Sequence, residues 1–562
     1  MIRPAGTTIS RISILATLAA ASLLLAACSP TFTASVQTSR TQLAVAAGLG
    51  EMRAQGAAAG GSGCQTAGLI VTSGGGTAPE VLTAALPAGM PLTATALAPS
   101  TLQLAATDNF VSADNHVLRL PSGAWYLSWL FSSSATLPSQ PEWWDAVAAN
   151  GSGLPAGSRG SMLQLTSSDC GAHWTRLPDV DSAVIDSGRW AWPQGVNDDK
   201  TQPWVGGWDR QEVYADPFSS RLYVTVRAVS GTLQQFAAEH AADAYLLLYS
   251  DDGSHFNKSP IELPSWEPLT MTTTPSGRLF LAHCVGTAQG NRVVVYWIDP
   301  GDVAGASAPT GSTVIANGSG TFDECGTLSQ SALPANVTVE YQAIVSLSRI
   351  GSGKADTVRV AYPRIENGRQ VRFVIGISVG KDGTALQVPL NVVRAADPDG
   401  QVLFGSFVES DGAEASTTNA AVLYWLETTH AGELVARYSA VKDGWDWTAP
   451  ADLSLAGGAR AAWIPDGTWI GHYIRGGFFA DASAYRYVAL WPENGVPSLN
   501  VVSVPRGAAP PKAKSAAKWS QAKRAAPHGA RTLRVQPAPH QDREGVLRPA
   551  AAIPPAKPAP PG

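Results

Sequence analysis

The sequence has few charged side chains, few methionines and no long apolar segment in its interior. Only 15% of its 562 residues are charged and only 5 are Met, whereas 45% are hydrophobic and the mean hydropathy is zero. A disordered chain would be poorer in apolar residues, so most of this chain is predicted to fold. No stretch after residue 28 approaches the roughly 18 uninterrupted apolar residues of a membrane helix, so none is expected there.

Several motifs that would indicate a function are also missing. The phosphate-binding motif G-x-x-x-x-G-K-[ST], the zinc-protease motif H-E-x-x-H and a C-x-x-C pair are all absent. The net charge of −5 gives no overall basic surface of the kind that nucleic-acid binding requires. We therefore expect no nucleic-acid partner, no cofactor and no bound metal.

Turn-forming and aromatic residues are abundant, with 55 Gly, 40 Pro and 18 Trp. This composition favours many short strands joined by tight turns, and segments such as 124–130 (AWYLSWL), 221–226 (RLYVTV) and 421–426 (AVLYWL) are typical of strands. The strands group into six sets that begin near residues 108, 183, 264, 340, 401 and 460. The sequence therefore predicts an all-β fold, a β-propeller of four-stranded blades. Six blades are expected, with seven as the alternative in which residues 64–105 form a further set.

The N-terminus predicts export. Arg3 and Arg11 precede an apolar run of 16 residues that ends in Leu-Ala-Ala-Cys at Cys28, which is a signal-peptide core and short for a membrane span. This ending resembles the lipobox of bacterial lipoproteins, and the resemblance implies that Cys28 carries the lipid. Ser29 stands where lipoproteins kept in the inner membrane often have Asp. A membrane-anchored lipoprotein is expected, with the outer membrane favoured.

Composition divides the chain into four segments. Residues 1–27 are the expected signal peptide, 28–63 a flexible tether rich in small residues, 64–506 the propeller, and 507–562 a disordered basic tail. The tail holds 10 Lys or Arg against 2 acidic residues and 11 Pro, so it carries +8 and the rest of the chain −13. Contact with anionic polymer or lipid head groups and a merely solvated tail remain open alternatives.

Four cysteines remain after Cys28. An even number in an oxidising compartment favours two disulfides over a metal site, although four free thiols remain an alternative. Of the three possible pairings, we favour Cys284 with Cys325, 41 residues apart, and Cys64 with Cys170.

Two segments share the pattern D-x-G-x-H-aromatic. They are 167–174 (SSDCGAHW) and 249–256 (YSDDGSHF), and they resemble the Asp-box, or BNR repeat, of sialidase-like propellers. The turn residues that the resemblance identifies are Asp169, Gly171 and Trp174 in the first copy and Asp251, Gly253 and Phe256 in the second. In the family these boxes are structural and lie at hairpin turns away from the active face.

The resemblance leaves catalysis undecided. A sialidase needs three Arg that bind a carboxylate, a Tyr paired with Glu, and an Asp. Arg119, in Leu-Arg-Leu-Pro, resembles the first of these Arg, but Ser122-Gly123 follows at once, so Arg119 is expected to end a strand at a turn. We expect a binding or interaction module with a glycan or envelope polymer as partner. An exo-acting glycosidase of sialidase type and a structural envelope-assembly factor are the alternatives, and the oligomeric state is left open.

A Trp-rich stretch provides the candidate ligand site. Residues 189–212 interleave four Trp with charged side chains and read as a loop. Flat aromatic faces beside polar groups suit a sugar ring, so Trp204, Trp208, Asp209 and Arg210 are predicted to bind the ligand. The alternative is that these Trp fill the space between sheets.

Overall fold

The computed structural model describes the following part of the chain: residues 37–42, 52–57, 67–73, 80–86, 93–96, 113–132, 160–169, 171, 173–186, 204–232, 242–263, 269–287, 290–315, 325, 337–339, 345–350, 355–411, 414–415, 418–429, 434–441, 447–453, 468–470, 476–480, 483–493 and 496–505. This part is almost entirely β-structure. Its one helix, α1, has four residues (Ser182–Ile185). Within it, no helix is long and apolar enough to cross a membrane.

The strands of the first half of the chain are β1 (Gln37–Gln42), β2 (Met52–Ala57), β3 (Ala67–Ser73), β4 (Glu80–Leu86), β5 (Thr93–Ala96), β6 (Ala113–Arg119), β7 (Trp125–Ser132), β8 (Gly160–Ser167), β9 (Thr175–Arg176), β10 (Val180–Asp181), β11 (Trp204–Ala215), β12 (Leu222–Thr232), β13 (Ala242–Ser250) and β14 (Asn257–Leu263). The second half contains β15 (Thr270–Thr273), β16 (Leu279–Thr287), β17 (Gly290–Ile298), β18 (Gly311–Val314), β19 (Val337–Val339), β20 (Ser346–Ile350), β21 (Asp356–Glu366), β22 (Arg369–Val379), β23 (Ala385–Val393), β24 (Val402–Glu409), β25 (Ala421–Thr428), β26 (Leu434–Val441), β27 (Ala451–Asp452), β28 (Thr468–Ile470), β29 (Gly477–Ala480), β30 (Ala484–Glu493) and β31 (Val496–Pro505).

These strands form antiparallel sheets of consecutive chain segments. Sheet I contains β2 to β5, sheet II β6 to β10, sheet III β11 to β14, sheet IV β15 to β18, sheet V β20 to β23, and sheet VI β24 to β27. Sheet VII joins both ends of the described chain, in the order β1-β31-β30-β29. Strands β19 and β28 pair separately and in parallel. The six predicted strand sets correspond to sheets II to VII, and residues 67–96 supply three strands of sheet I.

The sheets are arranged radially. The first strands of successive sheets contact one another in the order β2, β6, β11, β15, β20, β24 and β29, and β29 contacts β2. Radial repetition of four-stranded sheets around an axis is the architecture of a β-propeller. We call these seven strands the inner strands, and they line the centre of the molecule.

The hydrophobic core lies between neighbouring sheets. Tyr126 and Met162 of sheet II pack with Trp208 and Leu246 of sheet III, and equivalent clusters join sheets III and IV, IV and V, and V and VI. In strand β25 every residue is buried, because both faces of a sheet are covered when sheets pack in series. The apolar strands that the sequence shows are therefore explained by burial on both faces.

The expected tether differs from the structure in part. Strands β1 and β2 both fall within residues 28–63, and β1 pairs along its whole length with β31. Neither sequence, QTSRTQ nor MRAQGA, shows a run of large apolar residues. Backbone hydrogen bonds to an outer strand need no apolar side chain, which is why composition did not reveal them. Folded structure therefore begins before residue 64. The expected signal peptide and basic tail lie outside the described residues.

Candidate functional site

Four polar residues meet where the inner strands end. Arg119 is the last residue of β6 and Glu409 the last of β24, while Tyr214 and Arg349 are each one residue before the end of β11 and β20. All four line one central cavity of about 150 Å³. We call this end of the inner strands the turn end, because the turns from first to second strand leave from it.

An ion pair between Arg349 and Glu409 dominates the cavity wall. Nη1 of Arg349 donates to Oε1 of Glu409 at 2.8 Å, and the backbone N–H of Arg349 donates to Oε2 at 2.7 Å. The same Nη1 donates to the hydroxyl of Tyr214 at 3.0 Å. Thr272 of sheet IV donates a further hydrogen bond to Glu409 at 2.8 Å. One polar network thus joins four neighbouring inner strands, β11, β15, β20 and β24.

A buried carboxylate, that of Asp216, supports the network from the turn after β11. Asp216 is 2% exposed and accepts a hydrogen bond from Thr273 Oγ1 at 2.7 Å. Tyr214 accepts one from the backbone N–H of Thr273 at 3.1 Å. Sheets III and IV are therefore fixed to each other beside Arg349.

Electrostatics hold these groups in defined protonation states. Burial raises the pKa of the Tyr214 hydroxyl to about 12, an effect that neighbouring Glu409 reinforces and Arg349 opposes. Burial by itself would lower the pKa of Arg349, but Glu409, Tyr214, Asp411 and other acidic neighbours raise it above its ordinary value. At neutral pH the site therefore contains a neutral phenol and a permanently charged guanidinium.

Arg349 retains donors beyond this network. Its side chain is 3% exposed, yet within the described part of the chain its Nε and Nη2 have no hydrogen-bond partner, and neither has Nε of Arg119. A buried donor without a partner costs about 1–3 kcal/mol. These N–H groups suit a ligand that brings acceptor oxygens, and a guanidinium favours a carboxylate among them.

The structure contradicts the predicted role of Trp208. Trp208 is 5% exposed and packs in the core between sheets II and III, so its ring is not available to stack on a ligand. The stretch expected to be a loop continues into the 12-residue strand β11, which begins at Trp204.

The other predicted ligand residues belong to the same strand as Trp208. Trp204, Asp209 and Arg210 lie on strand β11, but their side chains lie outside the described residues. Arg119 is placed as expected: it ends β6, and Leu120 and Ala124 close the turn that follows. It also lines the cavity, whereas the sequence predicted only that Arg119 ends a strand at a turn.

The first Asp-centred turn follows the predicted pattern. Asp169 accepts from the hydroxyl of Ser167 at 2.8 Å and from the backbone N–H of His173 at 2.9 Å. Gly171 has a φ of 81° and donates its N–H to Ser167. Trp174 is buried. The hydrogen bonds of Asp169 and Gly171 all lie within the turn.

The second turn corrects the assignment of Asp251. The residue that accepts the turn hydrogen bonds is Asp252, from the backbone N–H of both Ser254 and His255 at 2.8 Å and from Ser250 at 3.0 Å. Asp251 instead forms an ion pair with Arg221 at 2.6 Å. The second turn is one residue shorter between Asp and Gly than the first, so an alignment on Gly253 selects the wrong carboxylate.

Gly253 and Phe256 also belong to the second turn. Gly253 has a φ of 76°, a conformation that few other residues adopt, and Phe256 packs against the core between sheets II and III. Because Tyr214 pairs with Tyr223 and Tyr223 with Tyr249, this turn lies at the same end of sheet III as the Arg349 network.

The disulfide between Cys284 and Cys325 is present as predicted, with Cα atoms 6.0 Å apart. Cys284 lies on β16, and the backbone N–H of Cys325 donates to Pro363 of sheet V at 2.8 Å, so the bridge fixes the connection between sheets IV and V. Cys28, Cys64 and Cys170 lie outside the described residues. Among the residues that are described, no group of three or more His, Cys, Asp or Glu is placed to hold a metal ion.

Tyr214, Arg349 and Glu409 were not predicted from the sequence. Arg349 and Glu409 are 60 residues apart and on different sheets, so no local motif joins them. One signal was present: SLSRI and VLFGSFVE are short strands that each carry a single charge near the C-terminal end. A charge in an otherwise buried strand normally has a partner nearby.

Comparisons with known proteins give a likeness of fold only. No family model and no curated protein matches the chain. Among solved structures, the chain is similar to the NanB sialidase of Streptococcus pneumoniae, with 10% identity, coverage of 79% of this chain and 84% of that one, and a TM-score of 0.34. It is also similar to the α-L-arabinofuranosidase Arb93A of Fusarium graminearum (10% identity, 71% and 94% coverage, TM-score 0.32) and to the Aleuria aurantia lectin (10%, 72% and 94%, 0.33). At these identities and TM-scores, function has to be argued from the site itself.

Proposed function

We propose that this chain is a membrane-anchored binding protein whose central cavity takes a small acidic saccharide. The observation that carries the proposal is Arg349, which lines the cavity and whose buried Nε and Nη2 have no hydrogen-bond partner among the described residues. A carboxylate is the ligand group that such a fork matches in geometry and charge. Arg119, on the same wall, supplies a further donor.

The remaining cavity wall supports a saccharide as the carrier of this carboxylate. Phe407, Phe478 and Met271 offer apolar surface, and Ser346, Ser406 and Thr270 offer hydroxyl groups. Sugars present both C–H faces and hydroxyls, so a wall of this mixed character suits them. The small volume favours a single sugar residue over a polymer segment.

The protonation of Tyr214 and the hydrogen bonds of Glu409 favour binding over catalysis. A Tyr nucleophile has to lose its proton, but the pKa of Tyr214 is raised to about 12. The carboxylate of Glu409 already accepts from Arg349 and Thr272, so it is poorly placed to remove that proton. The network also lies at the end that carries the Asp-centred turns, whereas the sialidase resemblance implies an active face away from them.

Anchoring and architecture complete the proposal. The lipobox-like ending at Cys28 supports a lipid anchor and export, with the outer membrane favoured. The contact of β29 with β2 and the seven inner strands support a closed propeller of seven blades, the alternative to the six expected.

The test is binding of the whole chain to an array of acidic and neutral saccharides. We expect binding to acidic sugars, weakened about 10- to 150-fold in Arg349→Lys, which keeps the charge but loses the fork of donors. Arg364→Lys is the matched control, since Arg364 stacks on Phe373 in sheet V and is not part of the cavity wall. Its affinity should equal that of the parent chain.

Other outcomes would overturn the proposal. An array on which no saccharide binds would favour the envelope-assembly alternative. Turnover of a fluorogenic sialoside, abolished in Tyr214→Phe, would establish the glycosidase alternative.

A further inference from the structure

The aromatic side chain of Phe218 lies outside the described cores between sheets. Phe218 lies in the turn between β11 and β12, and its ring is 5.6 Å from the guanidinium carbon of Arg349. It is half-buried and belongs to none of the described core clusters. Its neighbour Pro217 lines the central cavity. Phe218 therefore lies at the rim of the cavity, beside the guanidinium that the proposed ligand would meet.

The position of Phe218 is fixed by its own turn. The backbone N–H of Phe218 donates to Oδ1 of Asp216 at 3.1 Å, and Ser219 Oγ donates to Oδ2 at 2.6 Å. Oδ1 also accepts from Thr273 of the next sheet. A buried carboxylate that uses both oxygens in this way holds the turn rigidly against sheet IV, so the ring is preorganised.

An aromatic ring held at a polar rim has a chemical use. The face of a ring stacks on the C–H face of a sugar while the adjacent guanidinium binds a carboxylate. We infer that Phe218 is a specificity-determining residue that stacks on the sugar ring of a ligand bound to Arg349. Asp216 acts as a positioning residue through the turn. The inference rests on the proposed function and adds the residue that selects a ring-shaped acid over a linear one.

The experiment compares two probes, glucuronate as a ring-shaped acid and glycolate as a linear hydroxy acid, by titration calorimetry on the whole chain. Phe218→Ala should weaken glucuronate binding about 5- to 150-fold, by analogy with the stacking of bases on aromatic residues. Glycolate, which has no ring, should bind the variant and the parent chain alike. Phe218→Trp, which keeps an aromatic face, should bind glucuronate as tightly as the parent chain.

A matched pair elsewhere in the molecule provides the control. Phe373 also lies under a guanidinium, that of Arg364 at 4.4 Å, but away from the cavity. Phe373→Ala should leave glucuronate affinity unchanged. If Phe218→Ala binds glucuronate as well as the parent chain does, the inference is wrong while the proposed function stands. If the parent chain binds neither probe and no acidic saccharide, the proposed function itself fails.

Discussion

Single residues decide how the turns of this protein are held. Asp252 is more than half exposed, yet hydrogen bonds from the backbone N–H groups of His255 and Ser254, from the His255 ring and from the Ser250 hydroxyl lower its pKa below the ordinary value of 3.8. Hydrogen bonds to a charged acceptor are stronger than neutral ones. The carboxylate contributes to turn structure although solvent surrounds it.

Replacing each of the two adjacent carboxylates by alanine tests whether Asp252 or Asp251 holds the turn. We expect Asp252→Ala to lower the free energy of unfolding by about 0.5–2 kcal/mol, the range found when a side chain that caps backbone N–H groups is removed. Asp251→Ala should cost less, because the side chain of Asp251 is 64% exposed and solvent weakens its ion pair with Arg221. Urea denaturation of both variants measures the difference, and a larger loss in Asp251→Ala would contradict the structure.

A buried histidine gives the protein a pH-dependent stability. His283 on β16 lies next to Tyr296, and burial lowers its pKa from 6.5 to about 3. Below pH 6.5 the unfolded chain takes up a proton that the folded chain does not. The stability that His283 contributes is thus complete above pH 6.5 and is lost progressively as the pH falls toward 3.

At pH 5 this loss amounts to about 2 kcal/mol relative to neutral pH. In His283→Gln the decrease in unfolding free energy between pH 7 and pH 5 should be smaller by that amount. Tyr296→Phe keeps the buried imidazole and should retain the pH dependence of the parent chain. Equal pH dependence in His283→Gln and the parent chain would show that His283 is not buried as described.

At the scale of elements, the apolar strands were predictable and the polar ones were not. Segments such as AWYLSWL and RLYVTV contain enough β-branched and aromatic residues to identify strands β7 and β12. Strand β1, QTSRTQ, contains no apolar residue. It is a strand because its backbone pairs with β31. Pairing between the two ends of a chain is long-range information that local composition does not contain.

The residues of the candidate site likewise include some that were predictable from the sequence and others that were not. The end of β6 at Arg119 follows from the local turn sequence Pro-Ser-Gly. The meeting of Arg349 with Glu409 and Tyr214 depends on which sheets are neighbours and on how far each inner strand extends. The Trp-rich stretch was predicted to bind the ligand because a sequence does not distinguish exposed from buried aromatic residues. Trp208 is buried by packing between sheets.

Strand β1 should matter for stability. Its six residue pairs with β31 cover the edge of sheet VII, and an uncovered edge both loses hydrogen bonds and invites association with other chains. Deletion of residues 1–45 should lower the unfolding free energy by about 3–6 kcal/mol, at 0.5–1 kcal/mol for each backbone bond. Deletion of residues 507–562, which removes no described strand, is the control and should leave the unfolding free energy unchanged.

A chain without β1 that unfolds like the parent chain would contradict this pairing and return residues 28–63 to the predicted role of a tether. The melting temperature at several protein concentrations distinguishes lost stability from association, because only association depends on concentration.

At the scale of the whole molecule, the sheets place charged groups from distant parts of the sequence around one axis. Six of the seven inner strands contribute two to four residues each to the cavity wall, and the cores between sheets fix those residues in position. The packing of sheet on sheet therefore makes the cavity wall rigid, and the polar side chains at the strand ends provide the groups that can bind a ligand. The proposed ligand site is therefore the cavity at the turn end of the inner strands and not the surface of the sheets.

The most direct measurement of this claim is a crystal structure of the chain with the acidic saccharide that binds most tightly on the array. We expect a carboxylate within hydrogen-bond distance of Nε and Nη2 of Arg349, with the sugar ring against Phe218. A saccharide bound at the opposite end of the inner strands, or on the outer strands of the sheets, would contradict it.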